Sequence, residues 1–477
     1  MINDFFNILL PQSCLALFII IQLLLSMFMS SSKFAISRLI SLIGISLSIL
    51  LLTTVQIEPQ YFGLQNSIMS DCYTQMFHFI ILLCGFFTVL LTKNLSNELK
   101  NHSFGLQTLI LTAIFGAMNI VSANDFITLF ISIELLSFPL YFLIATAKGY
   151  PSKEASFKYL ITTAVSTAVF LFGVSYLYGV TGSINLSEIY EITIEQPTSL
   201  IYVFASIFII LGLFAKLGIF PFANWIIDVY KGCETSILAF ISTIPKLALF
   251  GIICRLLVFP LGSSFELTFI IAILAIVTAF WANTFGIRER NVKAIFACSS
   301  SANASYVMLA ACLVSAYNLS TVLFYLICYV LMDIAVFAFL NIAEGNKIKM
   351  NVEDYKNMFY KNPVLIIAYA VAVIGLAGFP ITSGFVSKIY LFSAIARSGL
   401  IFIPFLLIIL VLTVVALYYY LKVLRPIFIS DIEQPAIKLE ANFSQRFVLV
   451  VTTIATVLIG IYPEKIIELC RYIAFNI

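Results

Sequence analysis

The stretch FASIFIILGLFAKLGIFPFANWIIDVYKGCETSILAFISTIPKLALF, residues 204–250, decides the fold. It is almost wholly apolar, yet it sets Lys216 and Lys246 in the middle of hydrophobic runs. Each lysine lies beside a backbone interruption: Gly218 and Pro221 follow the first, and Pro245 immediately precedes the second. A lysine at the centre of a membrane helix costs roughly 2.5–3.5 kcal/mol on insertion scales, so its presence there implies a task. Pro221 leaves the carbonyl of Leu217 without a helical donor, and Pro245 does the same for Ile241. Free carbonyls beside an ammonium group predict a hydrated cavity rather than lipid contact.

Outward from this stretch, the composition is that of an integral membrane protein. The 477 residues are 62% hydrophobic and 10% charged, with a mean hydropathy of +1.07; soluble domains carry about 25% charged residues. A net charge of +3 gives no electrostatic footprint for nucleic acid. The nine cysteines are scattered, none in a C-x-x-C pair, and the only histidines are His78 and His102. That excludes haem, iron–sulfur and structural zinc ligation within the chain. No Rossmann glycine pattern or P-loop occurs, so nucleotide is handled elsewhere if it matters. The N-terminal MINDFFNILLPQS lacks a basic region and a small-residue cleavage site, which predicts a retained helix rather than a signal peptide.

Apolar stretches long enough to span a bilayer fall near 9–29, 35–55, 74–92, 105–122, 124–146, 157–180 and 200–230. They continue near 236–259, 267–287, 294–315, 320–342, 363–397, 401–424 and 447–464, fourteen in all. The 200–230 and 363–397 stretches would be roughly 45–50 Å long as straight helices. Both contain an internal break, LGIFP at 217–221 and LAGFP at 376–380, separated by 159 residues. Paired broken segments point to an internal repeat with function at its centre. The 181–199 and 343–362 segments read as ordinary loops, and no linker divides the chain: residues 1–477 form a single membrane domain.

Nineteen lysines and arginines, from Lys33 to Arg446, fall in odd-numbered loops, whereas the even-numbered loops hold only Arg397. The positive-inside rule then places both termini outside the cytoplasm. Four bases remain within spans: Lys216, Lys246, Arg255 and Lys388. Glu134 and Asp333 are the acids that join them. Glu134 has about ten apolar residues on each side, so it is either protonated or matched with a base. Such a lysine–acid pair in low dielectric is a switch as well as a brace. Lysine suits relay work because a desolvated amine can give up its proton, whereas guanidinium stays charged. Arg255, near a helix end, fits snorkelling to the headgroups. Asp333 fits a proton site and a helix-bridging hydrogen bond equally. Lys158 fits the inner end of a proton path and a positive-inside anchor equally. Asp125 reads as an N-cap for the fifth helix.

Taken together, these residues resemble the antiporter-like membrane subunits of the proton-pumping NADH-quinone oxidoreductases, respiratory complex I, and among them the subunit N branch. The marks are IELLSFPLYFLIA at 133–145, EASFKYL at 154–160, LYGVTGSINL at 177–186 and KLGIFPFANWIIDVYKG at 216–232. RERNVKAIFACSS at 288–300 and GLAGFPITSGFVSKIYLF at 375–392 complete them. The resemblance covers nearly the whole chain. It implies an all-α polytopic fold of about fourteen transmembrane helices, with two inverted five-helix repeats and broken helices 7 and 12. The parts would be N-terminal helices 1–4 over 9–122, repeats over 105–259 and 267–424, and a last helix over 447–464. It implies a proton relay through Glu134, Lys158, Lys216, Lys246 and Lys388, with Asp333 as a possible addition. FMN, iron–sulfur clusters and quinone are implied in partner subunits, none bound by this chain; membrane lipid, protons and water are its other partners. The family usually has histidine where Ala223 and Asn303 stand, and asparagine is common where Asp333 stands. Only about a dozen residues follow the last span, which is unlike the long lateral helix of the subunit L branch.

The alternative within the superfamily is a subunit of a multisubunit cation/proton antiporter, or of a related membrane-bound hydrogenase. A spacer whose charges only lock helices together, and a secondary transporter of small solutes, are the rivals from other classes.

Overall fold

The computed structural model of the chain describes residues 2–28, 34–54, 61–94, 103–147, 149–195, 199–261, 264–429 and 438–476. Lys33, Lys100 and Lys148, counted above among the loop bases, and His102 lie outside the described residues. The first half of the chain runs through α1 (Ile2–Phe28), α2 (Phe34–Thr54), α3 (Cys72–Leu91), α4 (Ser103–Ser122), α5 (Phe126–Ala145) and α6 (Tyr150–Thr181). Next come α7 (Leu186–Glu195), α8 (Leu200–Leu217), α9 (Asn224–Gly232), α10 (Thr235–Val258), α11 (Phe265–Arg288) and α12 (Val292–Ala311). The chain finishes with α13 (Ala316–Gly345), α14 (Pro363–Ala377), α15 (Ser383–Arg397), α16 (Ile403–Phe428), α17 (Phe443–Ile461) and α18 (Glu464–Phe475). A two-stranded hairpin, Tyr61–Gly63 with Ile68–Ser70, precedes α3. Helices dominate because a backbone in hydrocarbon must satisfy its polar groups within the segment.

Among the described residues, thirteen helices are long and apolar enough to cross a membrane. The shorter α14 and α15 together make one further crossing, so the chain is a bundle of fourteen. Both long stretches divide where the sequence places glycine and proline. The α8 helix ends at Gly218, with φ of +71°, and α14 ends at Gly378, with φ of +88°. These are left-handed conformations that glycine reaches without strain.

The same local device recurs on the two halves of the chain. Phe126 N–H donates to Ile184 C=O and Leu186 N–H to Asn124 C=O. Val292 N–H donates to Met350 C=O and Val352 N–H to Arg290 C=O, the same bridge at a constant offset of 166 residues. Each bridge fixes a helix start, with Asp125 capping α5 and Asn291 capping α12. Five crossings separate the two bridges, so they lie on opposite faces of the bundle.

The α10 helix is buried along its whole apolar length, and α12 and α13 nearly so. Around them, α1, α2, α16 and α17 turn leucine, isoleucine and phenylalanine outward. Since lipid is as apolar as leucine, helix association rests on packing and interhelical polar contacts. The buried lysines sit on or beside the central helices.

Three sequence expectations change. The 181–199 segment is not an ordinary loop, because α7 occupies most of it, seated through the buried Leu186 and Ile189. The 343–362 segment holds a 3-10 turn at Val352–Tyr355. Arg255 does not snorkel: it is buried, and its Nη2 donates to both carboxylate oxygens of Asp71 at 2.9 Å. Asp71 caps α3 at the start of the third span and folds inward to match the arginine.

Candidate functional site

Lys216 occupies the last turn of α8, two residues before the break. Its Nζ lies 3.5 Å from Glu134 Oε1 and 3.5 Å from the Ser137 hydroxyl. The Glu134 oxygen also accepts a 2.7 Å hydrogen bond from Thr167 Oγ1. Charge-assisted N–H···O bonds usually close to about 2.7–2.9 Å, so this pair is matched in charge but loosely held. Lys216 is buried, while the Glu134 side chain is 35% exposed on the flank of the bundle. The negative end of the α8 dipole also favours an ammonium at this place.

Lys158 lies earlier on the helix that carries Thr167, at the rim. It bridges Glu154 at 2.7 Å, one turn earlier in α6, and Asp228 at 2.8 Å, in α9. The cluster therefore clamps the second half of the broken helix to its neighbour. Its members are about two-fifths exposed, so the clamp contributes at most about 1 kcal/mol.

Lys246 sits within α10, directly after Pro245, and the helix continues through that proline without a break. Its ammonium donates to the Ser300 hydroxyl of α12, and Ser300 in turn meets Tyr329 OH at 2.9 Å and Tyr230 OH at 3.1 Å. The Tyr329 ring faces the ammonium at 5.8 Å. Asp333, one turn further along α13, is buried within electrostatic reach of Lys246 without forming a close ion pair. The cavity beside Lys246 measures about 10 Å³, room for at most about one water. The cavity expected beside the buried ammonium is small at Lys246, where packed hydroxyls fill most of the space.

Lys388 stands on α15, the second half of the other broken helix. Its Nζ donates to the carbonyls of Leu376 at 2.7 Å and Ala377 at 3.1 Å. These are the terminal carbonyls of α14, which the break leaves without helical donors. The ammonium on freed carbonyls, expected at Lys216 and Lys246, is found at Lys388. Tyr306 presents its ring to the same ammonium at 6.0 Å. Among the described residues, no carboxylate forms an ion pair with Lys246 or Lys388.

Of the two positions where histidine was expected, Ala223 is a buried methyl at the start of α9. Asn303 is the centre of a polar cluster. Its Nδ2 donates to the Ser299 carbonyl at 2.9 Å and to Tyr420 OH at 3.4 Å, and its Oδ1 accepts from Tyr325 OH at 2.7 Å. Ser299 Oγ and Tyr420 OH lie 2.5 Å apart. Sequence reasoning missed Ser299, Ser300, Tyr230, Tyr325, Tyr329 and Tyr420. One signal was present, the run SSSANAS at 299–305, a polar strip inside an otherwise apolar helix. Lys293, read as a loop base, is also buried, bonded to Glu344 at 2.7 Å and to the Cys233 carbonyl at 2.9 Å. Among the described residues, no group of His, Cys, Asp or Glu converges in metal-binding geometry.

A fourteen-crossing bundle with two broken helices, and with buried lysines strung along hydroxyls through its middle, is an antiporter-like membrane subunit. The pattern of the NADH:quinone oxidoreductase/Mrp antiporter transmembrane family matches residues 123–415. The chain belongs to that family. It is 32% identical to NADH-quinone oxidoreductase subunit N of Anoxybacillus flavithermus, over 89% of this chain and 88% of that one. Its fold matches a chain of respiratory complex I from Thermus thermophilus with bound aureothin, at TM-score 0.82 and 26% identity, covering 96% and 98% of the two chains. A chain of the Mrp complex from Dietzia sp. shares the fold alone, at TM-score 0.83 and 16% identity, covering 98% and 97%.

Proposed function

We propose that the chain is a proton-translocating membrane subunit of an NADH-quinone oxidoreductase, of the subunit N type. The observation that carries this reading is the Glu134–Lys216 pair beside one helix break, in series with Lys246 and with Lys388 on the other. While Glu134 is ionised, its charge holds the proton on Lys216. When that charge is withdrawn or neutralised, the proton moves inward to Lys246 and then to Lys388, whose place on the opposite repeat opens to the other face. Lys158 is the intake-side base and Asp333 sets the field at Lys246. Coupling is electrostatic, each charge biasing its neighbour.

The two recurring bridges support a division into inverted five-helix repeats over 105–259 and 267–424, preceded by 9–122 and followed by 447–464. The redox energy arrives from partner subunits that carry FMN, iron–sulfur clusters and quinone. The other membrane and hydrophilic subunits of the complex, the surrounding lipid, and protons and water are its partners. The lysine and arginine asymmetry supports a multi-pass cell (inner) membrane protein with both termini on the non-cytoplasmic side.

The test is proton pumping in inverted membrane vesicles carrying Lys216→Ala or Lys246→Ala, with NADH-driven quinone reduction recorded in parallel. Normal assembly with pumping and turnover falling together supports the reading; full pumping in the assembled Lys246→Ala variant overturns it. The family's breadth and the fold shared with the Mrp complex chain favour a second reading, a cation/proton antiporter subunit. That reading requires cation-driven proton exchange by this chain's complex in the absence of NADH.

A further inference from the structure

Lys246 and Lys388 have no acid between them to hand a proton along, among the described residues; hydroxyls and one amide fill the space instead. Two separate hydrogen-bonded clusters are present. The first joins Lys246, Ser300 and Tyr329; the second joins Tyr325, Asn303, Ser299 and Tyr420. The one-water cavity is lined by Lys246, Ser300 and Tyr329 on one side and by Asn303 and Tyr325 on the other, so it is the joint between the clusters. Beyond Tyr420, the buried Tyr419 hydroxyl lies beside that of Tyr420, and the buried Tyr306 hydroxyl lies beside the Asn283 amide. Tyr306 then presents its ring to Lys388.

We propose that Tyr325 and Tyr420, held in register by Asn303, carry the proton between Lys246 and Lys388. The inference rests on the proton-translocating reading above and names the residues of its central step. Ser300 accepts the proton of the Lys246 ammonium on its oxygen and releases its own hydroxyl proton to Tyr329. One water passes the charge across the cavity to Tyr325, and Tyr420 and Tyr306 carry it to the neutral Lys388 amine. Each oxygen gains one proton and loses one, so every hydroxyl ends neutral with its hydrogen bond reversed. An amide does not relay in this way, because its oxygen has no proton to release. Asn303 is therefore a positioning residue, with Tyr325 at its oxygen and Tyr420 at its nitrogen.

The experiment is the assembled complex in inverted vesicles, with Lys246→Ala as the reference and Tyr325→Phe, Tyr420→Phe and their double variant as tests. Loss of the hydroxyls should lower pumping by about tenfold, less than the ~10²-fold of an irreplaceable acid–base group, because water fills part of the gap. Asn303→Leu should lower it similarly, and Asn303→His, which both positions and relays, should restore it. If a phenylalanine variant fails to assemble, fluorotyrosine at 325 or 420 keeps the hydroxyl and the packing while making it more acidic. The relay then shifts the pH profile of pumping, whereas a purely structural tyrosine leaves it unmoved. Full pumping with an unmoved pH profile, in a complex that Lys246→Ala still silences, overturns this inference alone. If Lys246→Ala also pumps fully, the functional reading itself fails.

Discussion

One carboxylate oxygen of Glu134 serves both the Lys216 ammonium and the Thr167 hydroxyl. Glu134→Gln keeps an acceptor for Thr167 and removes only the charge, so the variant should assemble normally. Pumping should fall by about 10²-fold, the scale of a lost proton-transfer group, while immunodetection of the assembled complex stays at the parent level. The Arg255–Asp71 pair is a different case, because both partners are buried and no hydrogen bond of normal geometry reaches Nε or Nη1 among the described residues. Removing one partner strands a buried charge, at about 3–5 kcal/mol, whereas replacing both with apolar residues of similar size is often neutral. Asp71→Asn, which keeps the α3 cap, should therefore lower the thermal stability of the complex sharply, and Asp71→Leu with Arg255→Met should recover it except for the roughly 1 kcal/mol of the lost cap. At this scale the lysines were legible, since a charge in an apolar run stands out. Their partners were not, because Ser300, Tyr325 and Tyr420 are ordinary residues until packing brings three helices together.

Helix breaks were the most legible elements, because Gly and Pro act through the backbone and leave their mark in a few letters. The α7 helix was not legible: with three glutamates in ten residues it looks like a solvated connection, and only burial of Leu186 and Ile189 makes it an element. The two breaks differ in what surrounds them. A Cβ at Gly378 would meet the Lys388 side chain, at 2.9 Å from Cδ and 3.3 Å from Nζ. A Cβ at Gly218 would meet Ile226 Cδ1 at 3.0 Å. Both substitutions strain a left-handed backbone by roughly 1–2 kcal/mol, so both should lower thermal stability. Gly378→Ala should in addition displace the ammonium from the Leu376 and Ala377 carbonyls and lower pumping in assembled complex by several-fold more than Gly218→Ala. Equal effects on pumping at equal stability would mean that the Lys388 contact carries no function.

Over the whole molecule, the fourteen apolar stretches located the crossings to within a few residues because bilayer thickness sets their length. The largest shifts are at the starts of α1, which begins at Ile2 rather than near residue 9, and of α6, which begins at Tyr150 rather than near 157, where a half-polar first turn, YPSKEAS, extends it beyond the apolar core. The recurring bridge was not legible, as a backbone hydrogen bond at an offset of 166 residues leaves no letter pattern. Orientation rests on loop charge alone, and it can be read with an impermeant thiol reagent. The nine native cysteines give little background: seven are buried and the other two are only partly exposed. Lys347 follows α13, and Glu191 lies in α7; both are exposed and they belong to loops of opposite parity. In inverted vesicles, whose outer surface is the cytoplasmic one, Lys347→Cys should label and Glu191→Cys should not, with the pattern reversed in cells opened only at the outer face. Labelling in the opposite sense would turn the molecule over. It would place the Lys158 cluster, the proposed proton intake, on the wrong side for a pump that takes protons from the cytoplasm.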